Sequence, residues 1–244
     1  MKLPYTLATE HPTQLALVVL QSDETIEHDM RRLLPSTADV LVTRVPSAAV
    51  LTTDSIAAME NKLTDAAALL PRGTRMAAVG YGCTSASAQI GPSRVAEQIQ
   101  KGVEVSQVTE PVSALIAACR ALQVTNLGFI SPYSPNISDK LRQVLAEAAI
   151  ETPHFGSFDE PKEQNVVRIT TSSLVDAAKT IGAGQQVDAV FLSCTNLRTL
   201  DVISQIEDVV QKPVLSSNQV LAWHMMQLAN VTPPPNLPGR LWQS

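Results

Sequence analysis

The chain has 244 residues, 45% hydrophobic and 17% charged, with a formal net charge of −5. That is enough apolar mass for one large domain or two small ones, and an acidic chain with scattered Lys and Arg argues against a nucleic-acid surface. No apolar run reaches the roughly 20 residues of a membrane span, the N-terminus lacks the apolar core of a signal peptide, and three cysteines make no disulfide framework, so the expectation is a cytoplasmic protein with reduced thiols and no membrane partner.

In chain order, residues 15–20 read as a buried strand, followed by Gln21-Ser22-Asp23 and a helix over 25–34. A strand over 39–44 precedes a helix over 54–70, with Asp54 as its N-cap and Pro71-Arg72-Gly73 as its stop. The strand 76–81 runs into Gly82-Cys83-Thr84-Ser85. Helices follow over 94–101 and 113–122. A strand over 126–131 ends at Pro132-Tyr133, then come helices over 138–149 and 172–181. The strand 187–193 runs into Cys194-Thr195-Asn196. A helix over 197–210, a strand over 213–216 and a helix over 218–229 complete the pattern. The proline-rich tail from Thr232 to Pro238 is excluded from helix and reads as an extended strap.

Strands alternating with helices predict an α/β fold with mainly parallel sheets flanked by helices. The chain also repeats itself. Two apolar runs each end in a small residue followed by Cys-Thr, at Cys83 and at Cys194. Gln21 precedes Cys83 by 62 positions and Tyr133 precedes Cys194 by 61; the helix-start residues Asp29 and Asp139 lie 110 apart, and the cysteines 111. One offset relating several features predicts two pseudo-symmetric, Rossmann-like halves. The expected division is 1–108 and 109–216, with residues 217–244 packing back on the first half and the site between the halves.

Open ends of parallel strands are where α/β proteins bind ligands. A lone buried cysteine is usually a small packed hydrophobe. Two at matching repeat positions, each followed by hydroxyl or amide residues, favour chemistry. A helix N-terminus just after either cysteine would help it ionise. Thr84, Ser85, Thr195 and Asn196 then become candidates for holding a carboxylate or an enolate oxygen. Tyr133, at a strand end, is a candidate phenol donor. Asp23 could cap the first helix or face the ligand, and Arg44 could bind a carboxylate or form a surface ion pair. Cys119, Trp223 and His224 sit in helix-core patterns and read as packing. With no phosphate loop, no dinucleotide fingerprint and no metal-ligand spacing, the expectation is no cofactor and no metal.

Tyr81-Gly82-Cys83-Thr84-Ser85 and Ser193-Cys194-Thr195-Asn196-Leu197-Arg198-Thr199 resemble the two cysteine motifs of the aspartate/glutamate racemase superfamily. Lys212-Pro213-Val214-Leu215-Ser216-Ser217-Asn218-Gln219 with Trp223-His224 is similar to the maleate cis-trans isomerase and arylmalonate decarboxylase subgroup. The resemblance implies a cofactor-independent isomerase of a small carboxylic acid. Cys83 would add to a double bond and Cys194 would act as acid or base. It also places the family's substrate-binding tyrosine on Tyr133 and its carboxylate-binding asparagine on Asn165. Arylmalonate decarboxylases keep only the second cysteine, so Cys83 disfavours that activity. Where maleate isomerases have a substrate-binding asparagine near the first strand end, this chain has Asp23, which disfavours maleate itself. A racemase of amino or hydroxy acids, with the two thiols as opposed acid and base, is the alternative; a non-catalytic acid-binding protein is a third. Self-association as a homo-oligomer stays open.

Overall fold

The protein is described by a computed structural model, which covers residues 1–9, 11–50 and 52–243. In chain order its first half comprises β1 (Thr13–Leu20), α1 (Ile26–Leu33), β2 (Ala38–Val45), α2 (Thr53–Glu60), α3 (Leu63–Ala67), β3 (Met76–Gly82), α4 (Thr84–Ile90), α5 (Pro92–Gly102), β4 (Val105–Thr109) and α6 (Pro111–Ala121). The second comprises β5 (Asn126–Ser131), α7 (Pro135–Glu147), β6 (Glu151–Ser157), α8 (Glu163–Val166), α9 (Thr171–Gly182), β7 (Ala189–Leu192), α10 (Ile203–Val210), β8 (Val214–Ser216) and α11 (Ser217–Ala229).

The run from Leu15 to Leu20 has no polar position, and a strand apolar on both faces needs a layer on each side. It becomes the interior strand β1, with all six residues buried. The first sheet runs β2-β1-β3-β4 and the second β6-β5-β7-β8, each parallel throughout. The two orders are the same topology, with β5 standing for β1 and β7 for β3. Cys83 and Cys194 therefore follow equivalent interior strands.

One apolar core joins the two halves. α11 leaves the second sheet at β8 yet packs on α6, β3, β4 and α1. The approach is close enough that a Cβ on Gly80 would lie 2.6 Å from Met225 Sδ, which is why β3 carries glycine there. α4 packs against α7 across the halves.

Several expectations need correction. The helix expected over 54–70 is two helices, broken at Asn61-Lys62, and its cap is Thr52, whose side chain accepts from the Ser55 N–H at 3.1 Å. Asp54 is already inside the first turn. The helix expected over 197–210 begins only at Ile203, after a short 3-10 turn at Leu200–Val202. β4, β6, α4 and α8 were not expected. The tail is non-helical from Val231 to Pro238, where Gln219 donates to the Pro238 carbonyl. Among the described residues no helix is long and apolar enough to cross a membrane.

Candidate active site

Cys83 is the last residue before α4, and its Sγ accepts the Ala86 N–H at 3.4 Å. Here the kind of helix start that would help a cysteine ionise is present. After Cys194 it is absent: the chain turns irregularly, and Cys194 itself has φ +149°, a region L-residues rarely occupy and that surrounding structure must impose. Its backbone N–H donates to Ser217 Oγ (3.0 Å), and its Sγ accepts the Asn196 N–H (3.4 Å).

Two cross-half contacts lace the cysteine loops together. Thr84 Oγ1 donates to Ser217 Oγ at 2.8 Å, so one serine hydroxyl holds both loops. Thr195 Oγ1 donates to the Gly82 carbonyl at 3.3 Å. Ser85 Oγ lies 3.5 Å from Cys83 Sγ. The phenol of Tyr133 is buried and couples electrostatically to both Cys194 and Cys83.

Asn196 is drawn into the same cluster but as a staple. Its Oδ1 accepts the Glu24 N–H (2.9 Å), and its Nδ2 donates to Glu163 Oε2 (3.0 Å) and to the Glu163 carbonyl (3.2 Å). Its side chain is fully used in joining the two halves. Asn165 is half-buried and its amide donates to Glu160 Oε2 at 3.1 Å. The residue of that segment whose charge bears on both thiols is Glu163, buried and one half-turn earlier. Above it the loops of the two halves meet, with Val50 bridged to Lys162 and the Glu163 N–H donating to the Ala49 carbonyl at 3.2 Å.

Asp23 holds the start of the first helix, one of the two roles considered for it. Its Oδ1 accepts the N–H groups of Thr25 and Ile26 at 2.8 Å each, fixing the start of α1. Its Oδ2 is buried with no hydrogen-bond partner. The Thr195 hydroxyl lies beside it, but that proton goes to Gly82. Arg44 is not a ligand fork; it donates to the carbonyls of Leu20, Gln21 and Asp23 and pairs with Glu27. Cys119 is fully buried in α6 among packing atoms, as expected. His224 Nδ1 meets Thr109 Oγ1 at 2.7 Å on the outer side of β4 and takes no part.

Electrostatically the site is acidic. Burial pushes the Cys83 thiol up to about 12, against the pull of the Ser85 hydroxyl and the Ala86 N–H. Burial, and next the charge of Glu163, pushes Cys194 well above the ordinary thiol range. Burial raises Asp23, and burial together with Asp23 raises Glu163 to about 6. Among the described residues no group of three or more His, Cys, Asp or Glu side chains is placed to hold a metal ion.

The raised Glu163 sets a stability prediction. A carboxyl whose folded pKa lies above its unfolded value of 4.5 favours folding below that value and loses the contribution as pH rises through about 6. A glutamine does not titrate. Relative to the parent, Glu163→Gln should therefore gain about 2 kcal/mol between roughly pH 4 and pH 7. Urea unfolding at both pH values measures it; a gap that stays constant or moves the other way rejects the assignment.

The family model described as arylmalonate decarboxylase matches residues 45–242. An arylmalonate decarboxylase of Bordetella bronchiseptica is 29% identical over 118 residues, which is 48% of this chain and 49% of that protein. A maleate isomerase of Nocardia farcinica is 24% identical over 167 residues, 65% of each chain. The matched stretch is thus about half to two thirds of these relatives' lengths. A solved structure of the Nocardia farcinica maleate cis-trans isomerase, a cysteine-to-serine variant with a covalently bound succinylcysteine intermediate, has the same fold: TM-score 0.78 at 23% identity, covering 95% of this chain and 98% of that one.

Proposed function

The chain belongs to the arylmalonate decarboxylase family, and from that membership and its paired thiols we propose that it is a cofactor-independent isomerase of a small carboxylic acid. The observation that carries this reading is the convergence of two cysteines from equivalent strand ends on one buried tyrosine, Tyr133, with Ser217 tying their loops. A packed structural cysteine needs no such symmetry.

On an unsaturated acid, the Cys83 thiolate adds to one alkene carbon while Cys194 delivers its proton to the other. The bond between them becomes single and rotates. The Cys194 thiolate then takes the proton back, and the carbon–sulfur bond breaks to regenerate the alkene and the Cys83 thiolate. The succinylcysteine intermediate in the Nocardia farcinica isomerase supports such an addition. Ser85 lines the cluster as a candidate hydrogen-bond donor to substrate, with Tyr133 as the phenol donor, while the Thr84 and Thr195 hydroxyls are engaged with Ser217 and the Gly82 carbonyl.

A second reading rests on the same symmetry. Thiols at equivalent ends of two sheets suit removal of a proton from one side of a carbon and its return from the other, as in a racemase or epimerase. Proton NMR of the protein in deuterated water with a panel of small acids separates the two. Cis-to-trans conversion is the expected signal for the first reading. Solvent exchange at a saturated carbon with inversion favours the second, and neither signal on any acid rejects both.

A further inference from the structure

The charge inventory of the interior is one-sided. Among the described residues the buried charged side chains are Asp23, Asp29, Glu110, Glu163 and Glu207; no lysine, arginine or histidine is buried. Three of the acids are spoken for. Glu110 caps α6 through the N–H groups of Val112 and Ser113. Glu207 accepts the N–H groups of Val214 and Arg240. Asp29 accepts from Asn218. Asp23 and Glu163 differ: they come from opposite halves, the charge of Asp23 bears on Glu163, and both act on Cys83 and Cys194. Asp23 is 3% exposed and its Oδ2 has no partner. Glu163 uses Oε2 on Asn196. Arg44, the cation nearest Asp23, is turned outward to three backbone carbonyls and Glu27.

Taking the two-thiol reading of this site as given, we propose that its substrate is a carboxylic acid bearing an ammonium group, held between Asp23 and Glu163. A buried carboxylate oxygen without a partner, as on Asp23, is stable only opposite a donor, and a second buried carboxylate beside it disfavours further negative charge. An ammonium has three donors, enough to meet Asp23 Oδ2 and Glu163 together. It also brings the one thing the site lacks, a positive charge beside thiols that burial keeps protonated, and so favours their ionisation.

Matched pairs of probes differing only in an amino group test this: aspartate against succinate and alanine against propionate, both enantiomers, with maleate alongside. Calorimetric titration of the wild-type protein should show at least tenfold tighter binding of the amino-bearing member of at least one pair. Asp23→Asn and Glu163→Gln should each reduce that ratio about tenfold, with circular dichroism confirming the fold; Glu147→Gln on the surface should not change it. The wild-type ratio stands even if a variant misfolds. Equal or tighter binding of succinate, propionate or maleate, or no millimolar binding of any amino-bearing probe, overturns the proposal. Deuterium exchange and isomerisation are followed on the same samples. Amine preference without either reaction rejects the thiol chemistry and leaves amine recognition standing. Reaction on acids without amine preference does the reverse.

Discussion

Cys83→Ser should lower turnover about a thousandfold or more while leaving the protein folded. A hydroxyl near neutral pH is a far weaker nucleophile and proton carrier than a thiol, and losing a residue that acts in a unit costs most of the unit's effect. The fold should survive because the substitution is nearly isosteric and the serine oxygen can still accept the Ala86 N–H that Cys83 Sγ accepts now. Cys119→Ser is the control: that thiol faces only packing atoms, and turnover should stay within about twofold. Cys194→Ser separates the two enzyme readings. If Cys194 only relays a proton in an addition–elimination, some conversion persists through water. If the two thiols are opposed bases, one substrate enantiomer keeps exchanging its proton through Cys83 while conversion stops. Rate and melting temperature of all three variants decide the matter; a Cys83→Ser protein with a tenth or more of parental activity removes Cys83 from the chemistry.

Asn196→Ala should be the most destabilising single change at the site. The asparagine side chain satisfies the half-buried Glu24 N–H and one oxygen of the buried Glu163, groups from opposite halves. Deleting it strands both, and a buried unsatisfied group costs about 1–3 kcal/mol. A total near 3 kcal/mol corresponds to a drop in melting temperature on the order of 10 °C for a chain of this size. Asn196→Asp adds a diagnostic. It keeps the acceptor for Glu24 but sets a second carboxylate 3.0 Å from Glu163 Oε2, so its stability should recover as pH falls and one of the pair takes a proton. Calorimetric melts across pH measure both; an Asn196→Ala protein melting within about 2 °C of the parent shows that the staple carries no weight.

The interior strands were legible in the sequence because parallel strands buried on both faces read as unbroken apolar runs. β4 and β6 were not: Ser106, Gln107, Pro153 and His154 are exposed polar or proline positions, and no apolar run or alternation survives. α4 escaped for the opposite reason. Its residues Thr84 to Ala88 are all buried between the halves, so a helix of small side chains shows no polar face and no period. Both cysteines and Tyr133 were found through the internal repeat. The repeat is one of backbone and not of every role: Asp29 is buried against Asn218, while Asp139 is exposed and meets Arg142. Glu163 had no sequence signal. The family resemblance pointed to Asn165, two residues on, and on a helical turn two residues lie about 200° apart, so their side chains take different partners, Asn196 for Glu163 and Glu160 for Asn165.

The path of α11 bears on how far the duplication can still be divided. Each half has its own sheet, yet the helix that closes the face of β3 around Gly80 is encoded at the far end of the chain. A fragment ending at residue 109 would keep all four strands of its sheet and lose both α6 and α11, leaving the apolar face that Met225 and Leu221 now cover open to water. The second fragment would carry a helix whose buried residues have nowhere to go. The halves are twins in topology but complements in solvent exclusion, so neither is a free-standing module to be swapped, truncated or expressed alone, and an insertion is tolerated best where it leaves both ends of this exchange on one chain.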